Sequence, residues 1–258
     1  MKKKVIVITG STRGIGLGLT KEFLALGHKL VINGRSRDSV DRLVDELKKV
    51  YPDVIGVAGS VTDEKTHQNL IEEAVKKFGA IDIWINNAGV PQPHESFAEL
   101  DSSQIHQVVE VNITGSLIGT KVAAKFMEGQ GKGRIFNMEG FGSDGRMMNK
   151  LSLYGTTKRA INYFTKSVAK ELADSPVKIG VIQPGMVRTD FLNTSMDSGT
   201  EEEKKQFKKV YDILAEDVGV VTKALAPRIL ACTKNYERVE FLSKMQLMGR
   251  IFRMMLKR

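Results

Sequence analysis

A tyrosine and a lysine four residues apart, Tyr154 and Lys158, are the residues of this 258-residue chain best suited to moving a proton. On a helix, positions i and i+4 share a face, so the phenol and the ammonium would point the same way. A free phenol ionises near pH 10 and is a poor base at neutral pH. A nearby ammonium favours the phenolate and lowers that value. The Tyr-x-x-x-Lys spacing alone is common and is usually a surface pair. Here it follows an apolar run and a glycine-rich loop, Gly140 to Gly145, which gives it a setting.

A second chemical feature lies near the start of the chain. Val5 to Ile8 reads as a buried parallel strand. Gly10, Gly14 and Gly16 follow, and then a helix begins. Glycine allows a tight turn and the close approach of a ligand. A helix start offers unpaired N–H groups and a positive dipole end, which suit a pyrophosphate. The spacing is Thr9-Gly10-x-x-x-Gly14-x-Gly16, not the Gly-x-Gly-x-x-Gly of the usual dinucleotide fingerprint.

These elements must be placed by a sheet. Apolar runs at Lys29–Gly34, Val54–Gly59, Ile81–Ile85, Arg134–Met138 and Val177–Ile182 read as further strands. Helical spacing separates them, as in Ser39–Val50, with Val40, Leu43, Val44 and Leu47, and in Lys65–Lys77. Strand–helix alternation predicts an α/β fold, a Rossmann-type doubly wound parallel sheet with helices on both faces. The chain fits one such domain. The second strand ends in Asn33-Gly34-Arg35-Ser36, where an acid would be needed to bind the ribose 2′-hydroxyl of NAD. Arg35, with Arg13 from the first turn, could instead pair with a 2′-phosphate, which favours NADP(H).

With these motifs in order, the sequence resembles the short-chain dehydrogenase/reductase family. The resemblance runs from the first strand to Thr189. It implies a cofactor site made by Gly10, Ser11, Thr12, Arg13, Gly14, Ile15, Gly16, Asn33, Arg35 and Ser36 on one side. Ser60 and Val61 would lie beside the adenine, with Ser60 standing where the family usually has an acid. Asn86-Asn87-Ala88-Gly89 resembles the second family motif, so Asn87, Ala88 and Gly89 would close over the adenine-ribose side. Pro184, Gly185, Val187 and Thr189 resemble the segment that faces the nicotinamide. Tyr154 would be the general acid or base, and Lys158 would tune it and hold the ribose. Asn112, within an expected helix from Leu100 to Met127, would hold a water in a proton path.

One block departs from the family. The usual serine pair is replaced by Glu139-Gly140, and Phe141 stands thirteen residues before the tyrosine. Either the flexible glycines bring Ser143 into the serine's role, or the site lacks that serine. The loop Glu139-Gly140-Phe141-Gly142-Ser143 also resembles the chlorophyll(ide) b reductase-like branch, which suggests a bulky substrate.

Composition bounds the rest. Hydrophobic residues make up 41% and charged residues 27%, ordinary globular values. The single cysteine, Cys232, allows no intrachain disulfide and reads as a small core residue. A cytoplasmic setting is expected. The net charge of +9 is spread over the chain without a nucleic-acid motif, so no nucleic acid is expected as a partner. No run approaches a membrane span of about 20 apolar residues. Residues 190–217 are polar and either cover the substrate or form a solvated helix. The tail 241–258 interleaves Met, Phe and Leu with cations. It could contact a membrane surface, join subunits, cover an apolar substrate or pack on the protein. The resemblance further implies a homodimer or homotetramer. Two functions stay open: hydride transfer between NADP(H) and a small-molecule carbonyl or alcohol, or a cofactor-binding sensor or scaffold with weakened catalysis.

Overall fold

The computed structural model describes residues 2–190 and 201–242. The path begins β1 (Val5–Ile8), α1 (Gly14–Ala25), β2 (Lys29–Gly34), α2 (Arg37–Lys48), β3 (Val54–Ala58), α3 (Glu64–Phe78) and β4 (Ile83–Asn86). It continues through α4 (Ser102–Val109), α5 (Gly115–Gln130), β5 (Gly133–Met138), α6 (Ser152–Glu171), β6 (Val177–Gln183) and β7 (Val187–Arg188). It closes with α7 (Glu201–Leu214), β8 (Glu216–Asp217), α8 (Val218–Ala231) and β9 (Glu237–Glu240).

The main sheet has the order β3-β2-β1-β4-β5-β6-β9, and every pairing in it is parallel. Strand side chains alternate between faces, and each face has its own core. Ile6 and Ile8 of β1 pack with Leu19 and Phe23 of α1, Leu43 of α2 and Leu225 of α8. Val7 points the other way, to Trp84, Leu70 of α3, Met127 of α5 and Ala169 of α6. Full burial of such a side chain contributes roughly 1.5–3 kcal/mol. The sheet centre is therefore the rigid platform of the molecule. The strand order reverses direction between β1 and β4, and this opens the crevice in which ligands of such sheets bind.

Two local features differ from the sequence expectation. The long helix from Leu100 to Met127 is divided: α4 ends at Val109, a π-helical turn spans Glu110–Thr114, and α5 starts at Gly115. Single π turns inside helices gather at functional sites, and Asn112 lies in this one. The edge strand β9 and the small β7–β8 pair carry too few residues to stand out by periodicity. Cys232 lies at the end of α8, 8% exposed, as a core residue should. No helix among the described residues is long and apolar enough to cross a membrane. Of the segment expected over the substrate, residues 191–200 lie outside the described residues, and so does most of the apolar tail, 243–258.

Candidate active site

The glycine turn is clasped by the segment after β4. Thr9 Oγ1 accepts hydrogen bonds from the backbone N–H of Asn87 and of Ala88, at 3.1 and 3.2 Å. Asn87 Nδ2 donates to the carbonyls of Thr9 and Gly10, both at 2.9 Å. Gly10 has φ of +59°, and a Cβ there would lie 2.7 Å from Ala88 Cα. Gly16 is as tightly held: a Cβ would meet Asn87 Nδ2 at 2.5 Å. These glycines let two strand ends close into one floor.

Above that floor, α1 starts without a side-chain cap and with no acid in its first turn. The neighbouring α2 and α3 differ: Ser36 and Asp63 cap them, and Asp38 and Glu64 occupy their first turns. An uncapped, acid-free helix start leaves its N–H groups for an anion. At Gly14, with φ of +56°, an added Cβ would only touch Thr189 at ordinary contact distance, 3.6 Å from its methyl. The residues present thus fit a dinucleotide pyrophosphate.

Several cofactor-side expectations place differently. Ser11 turns inward, donating to the Ile8 carbonyl at 2.7 Å and accepting from Asn33 N at 2.9 Å. Asn33 is buried and knits three strand ends together: it accepts from Gly10 N and donates to the carbonyls of Val57 and Gly59. Both side chains shape the cradle rather than line it, because a buried polar group is drawn to internal partners. Ile15 packs against the core, Thr12 lies over Gly34, and Ser36 is occupied as the cap of α2. Ser60 bonds Thr62, and the Val61 carbonyl is taken by His67. Arg13 and Arg35 are exposed, with no ion pair among the described residues. Pro184 and Gly185 turn the chain after β6, Val187 is fixed in β7 against Glu216, and Thr189 follows it beside Gly14.

The chemical groups gather where β4, β5 and α6 meet. Tyr154 and Lys158 lie on one face of α6 as their spacing requires. Lys158 Nζ donates to the Met138 carbonyl at 3.1 Å and lies 5.6 Å from the centre of the Tyr154 ring. Asn112 is buried and held at both ends. Its Oδ1 accepts from Val90 N at 2.8 Å, and its Nδ2 donates to the Val90 carbonyl at 2.9 Å and to Thr157 Oγ1 at 3.3 Å. A Cβ at Gly89 would lie 3.2 Å from Asn112 Oδ1 and 3.9 Å from Lys158 Nζ. Gly89 therefore keeps open the space that Asn112 and Lys158 share.

Burial sets the charges of this cluster. It raises the Tyr154 pKa well above the ordinary phenol value and lowers that of Lys158 to about 8, with the Glu139 carboxylate opposing the fall. The phenol was expected to be lowered by the ammonium. Loss of water around the phenolate outweighs that attraction, because a dry site penalises the charged form. Burial thus favours the neutral phenol over the phenolate.

The loop after β5 resolves the missing serine. Gly140 stands directly under Tyr154: a Cβ there would collide with Tyr154 Oη and lie 3.2 Å from Lys158 Cγ. Ser143 does not turn to the phenol. It is fully buried and donates to Glu139 Oε2 at 3.3 Å, since the carboxylate is the stronger acceptor. Sequence reasoning also missed Gln92, which is buried and accepts from Tyr154 N at 2.6 Å, so that it caps α6 from a distant loop.

A family model for short chain dehydrogenases matches residues 4–200. The chain belongs to the short-chain dehydrogenase family. It is 37% identical over 258 residues to the chlorophyll(ide) b reductase NOL, chloroplastic, of Oryza sativa subsp. japonica, covering 96% of this chain and 74% of that one. It is 34% identical over 202 residues to a 3alpha-hydroxysteroid dehydrogenase of Mediterraneibacter gnavus, covering 74% and 77%. The chain spans about half to three quarters of the length of the plant relatives it matches. A solved structure described as ElxO with NADP bound superposes with a TM-score of 0.77 at 27% identity, over 93% of this chain and 98% of that one.

In this short-chain dehydrogenase, a serine restored at Gly140 should impair the enzyme. The added Cβ must push the phenol aside, and a shift of about 1 Å at a reacting group can lower a rate a hundredfold. Gly140→Ser should lower kcat roughly tenfold to a hundredfold. Steady-state kinetics would check this, and an unchanged kcat would show that the phenol tolerates the side chain.

Proposed function

We propose that the protein is an NADP(H)-dependent oxidoreductase that reduces a bulky, apolar carbonyl compound. The observation that carries this reading is the convergence of Lys158 and Asn112 around Gly89, with Tyr154 and Lys158 over Gly140, in a chain whose α1 starts uncapped. NADPH, when bound, supplies the hydride. Tyr154 donates its proton to the oxygen of the reduced carbonyl. Lys158 holds a ribose hydroxyl, and Asn112 supports proton resupply through water. Ser143 has no part in this reading, because its hydroxyl is committed to Glu139.

The relatives named for chlorophyll(ide) b and for a 3α-hydroxysteroid support a large apolar substrate. Exposed Phe97, Met147 and Met148 lie on the loops that lead to Gln92 and Tyr154, and they fit the same class. The test is NADPH oxidation with a panel of lipophilic aldehydes and ketones. Saturable, carbonyl-dependent turnover is expected. The second reading, a sensor or scaffold, draws on the serine-free Gly140 position. Tight NADPH binding without turnover of any carbonyl would favour it.

Cofactor choice gives a separate test. No acid closes β2, and Arg13 and Arg35 are exposed at the rim of the cradle. A charged hydrogen bond to a 2′-phosphate is worth about 1.5–3 kcal/mol, roughly ten- to a hundredfold in affinity. NADPH should bind more tightly than NADH, and Arg35→Ala should erode the preference. Equal titration curves for the two cofactors with the unmodified protein would sink the assignment.

A further inference from the structure

The residue beside Gly140 is a buried acid. Glu139 directly follows β5, its side chain is fully enclosed, and each of its oxygens is bonded. Asn162 Nδ2 donates to Oε1 at 2.5 Å. Ser143 Oγ donates to Oε2 at 3.3 Å, and Arg238 Nη1 of β9 pairs with Oε2 at 3.0 Å. Asn162 follows Lys158 by one i+4 step on α6, as Lys158 follows Tyr154. The helix thus presents phenol, ammonium and amide in a row, and Glu139 meets the end of that row. The carbonyl bonded by Lys158 belongs to Met138, the last residue of β5 and the neighbour of Glu139.

A carboxylate taken out of water is retained only with strong partners, and removing one partner alone is strongly destabilising. A structural reason for Glu139 would be met equally by an apolar residue of similar size. Its setting between the Gly140 turn and the lysine points to more. We propose that Glu139 is a positioning residue: clamped by Arg238, Asn162 and Ser143, it holds the Gly140 turn beneath Tyr154 and supplies the counter-charge that keeps the Lys158 ammonium in place. This rests on the oxidoreductase reading only in that Lys158 is taken to grip the cofactor.

The charged and titratable groups around the carboxylate are Lys158 and Tyr154 of α6, Arg238 of β9 with its own second partner Glu240, and Tyr236 just before β9. Glu139 favours the charged lysine, and Arg238, paired with Glu139, offsets part of that carboxylate's field. Removing each should therefore move the lysine in opposite directions.

The test is NADPH affinity, read by fluorescence titration from pH 6 to 10, with thermal unfolding of each variant. In the unmodified protein the affinity should fall as pH rises through about 8, where Lys158 loses its proton. Glu139→Gln should move this midpoint down by about one pH unit, within the range for loss of a nearby opposite charge. Glu139→Asp should return it. Arg238→Gln, on a partly exposed edge strand, should move it up and stays informative if Glu139→Gln does not fold. Midpoints that stay fixed in folded variants, or that move the same way in both, would overturn the proposal. Carbonyl turnover is not needed for this readout, so its failure and that of the oxidoreductase reading are told apart.

Discussion

Tyr154→Phe should keep NADPH bound and lose nearly all turnover. The substitution removes only the hydroxyl, so the ring still packs over Gly140 and beside Lys158. Fluorescence titration should find a dissociation constant within a few-fold of the parent. The proton for the product oxygen has then to come from water. General acid catalysis is typically worth 10²–10⁴-fold, and kcat should fall by about that factor. Because burial holds the phenol neutral, the parent should show no loss of the acid below the pH at which Lys158 titrates. A variant that retained more than about a tenth of the parent rate would show that the proton comes from elsewhere.

Gly10→Ala should have the largest effect on the fold and the cofactor together. The backbone at Gly10 lies at φ +59°, which is unfavourable by about 1–2 kcal/mol for an L residue. The new Cβ would also meet Ala88 Cα at 2.7 Å, and that atom is backbone and cannot swing aside. Overpacking of this kind adds about 1–3 kcal/mol. The sum, about 2–5 kcal/mol, corresponds to a melting temperature lower by roughly 5–15 °C for a chain of this size. NADPH binding should be lost as well, since the displaced turn carries the start of α1. Gly79→Ala serves as the control: it shares the positive φ, at +84°, but a Cβ there meets nothing within 4 Å. It should lower the melting temperature by only a few degrees and leave binding intact. Equal losses in the two variants would show that strain alone, not the clasp with Ala88, accounts for the effect.

The parts of this site that rest on short-range spacing were legible in the sequence. The apolar runs gave the strands, the glycines gave the turn after β1, and i+4 spacing gave the Tyr154–Lys158 face. Asn162 is one more step on that face and could have been found the same way. What spacing does not reveal is which partner a polar side chain will choose. Ser143 lies in a loop that also borders a carboxylate, and the buried charge of Glu139 took its hydroxyl. Asn33 sits where a ribose contact is expected, yet the ends of the two neighbouring strands offered it hydrogen bonds first. Gln92 capping α6 and Arg238 neutralising Glu139 join segments far apart in the chain, and no local pattern announces either. The phenol's raised pKa belongs to the same class. The lysine beside it was visible in the sequence, but the dryness that overrules the lysine is a property of the packed fold.

The pairing of Glu139 with Arg238 has a consequence for how the molecule is made. Glu139 directly follows β5, whereas its cation arrives on β9, the last strand in chain order among the described residues and an edge of the sheet. A chain emerging from the ribosome completes the glycine turn, the Asn112 turn and the Tyr154–Lys158 face before Arg238 exists. Until β9 docks beside β6, the carboxylate lacks the guanidinium that pairs with it in the folded chain. The clamp on Glu139 thereby closes only when a strand far along the chain from β5 has joined the sheet.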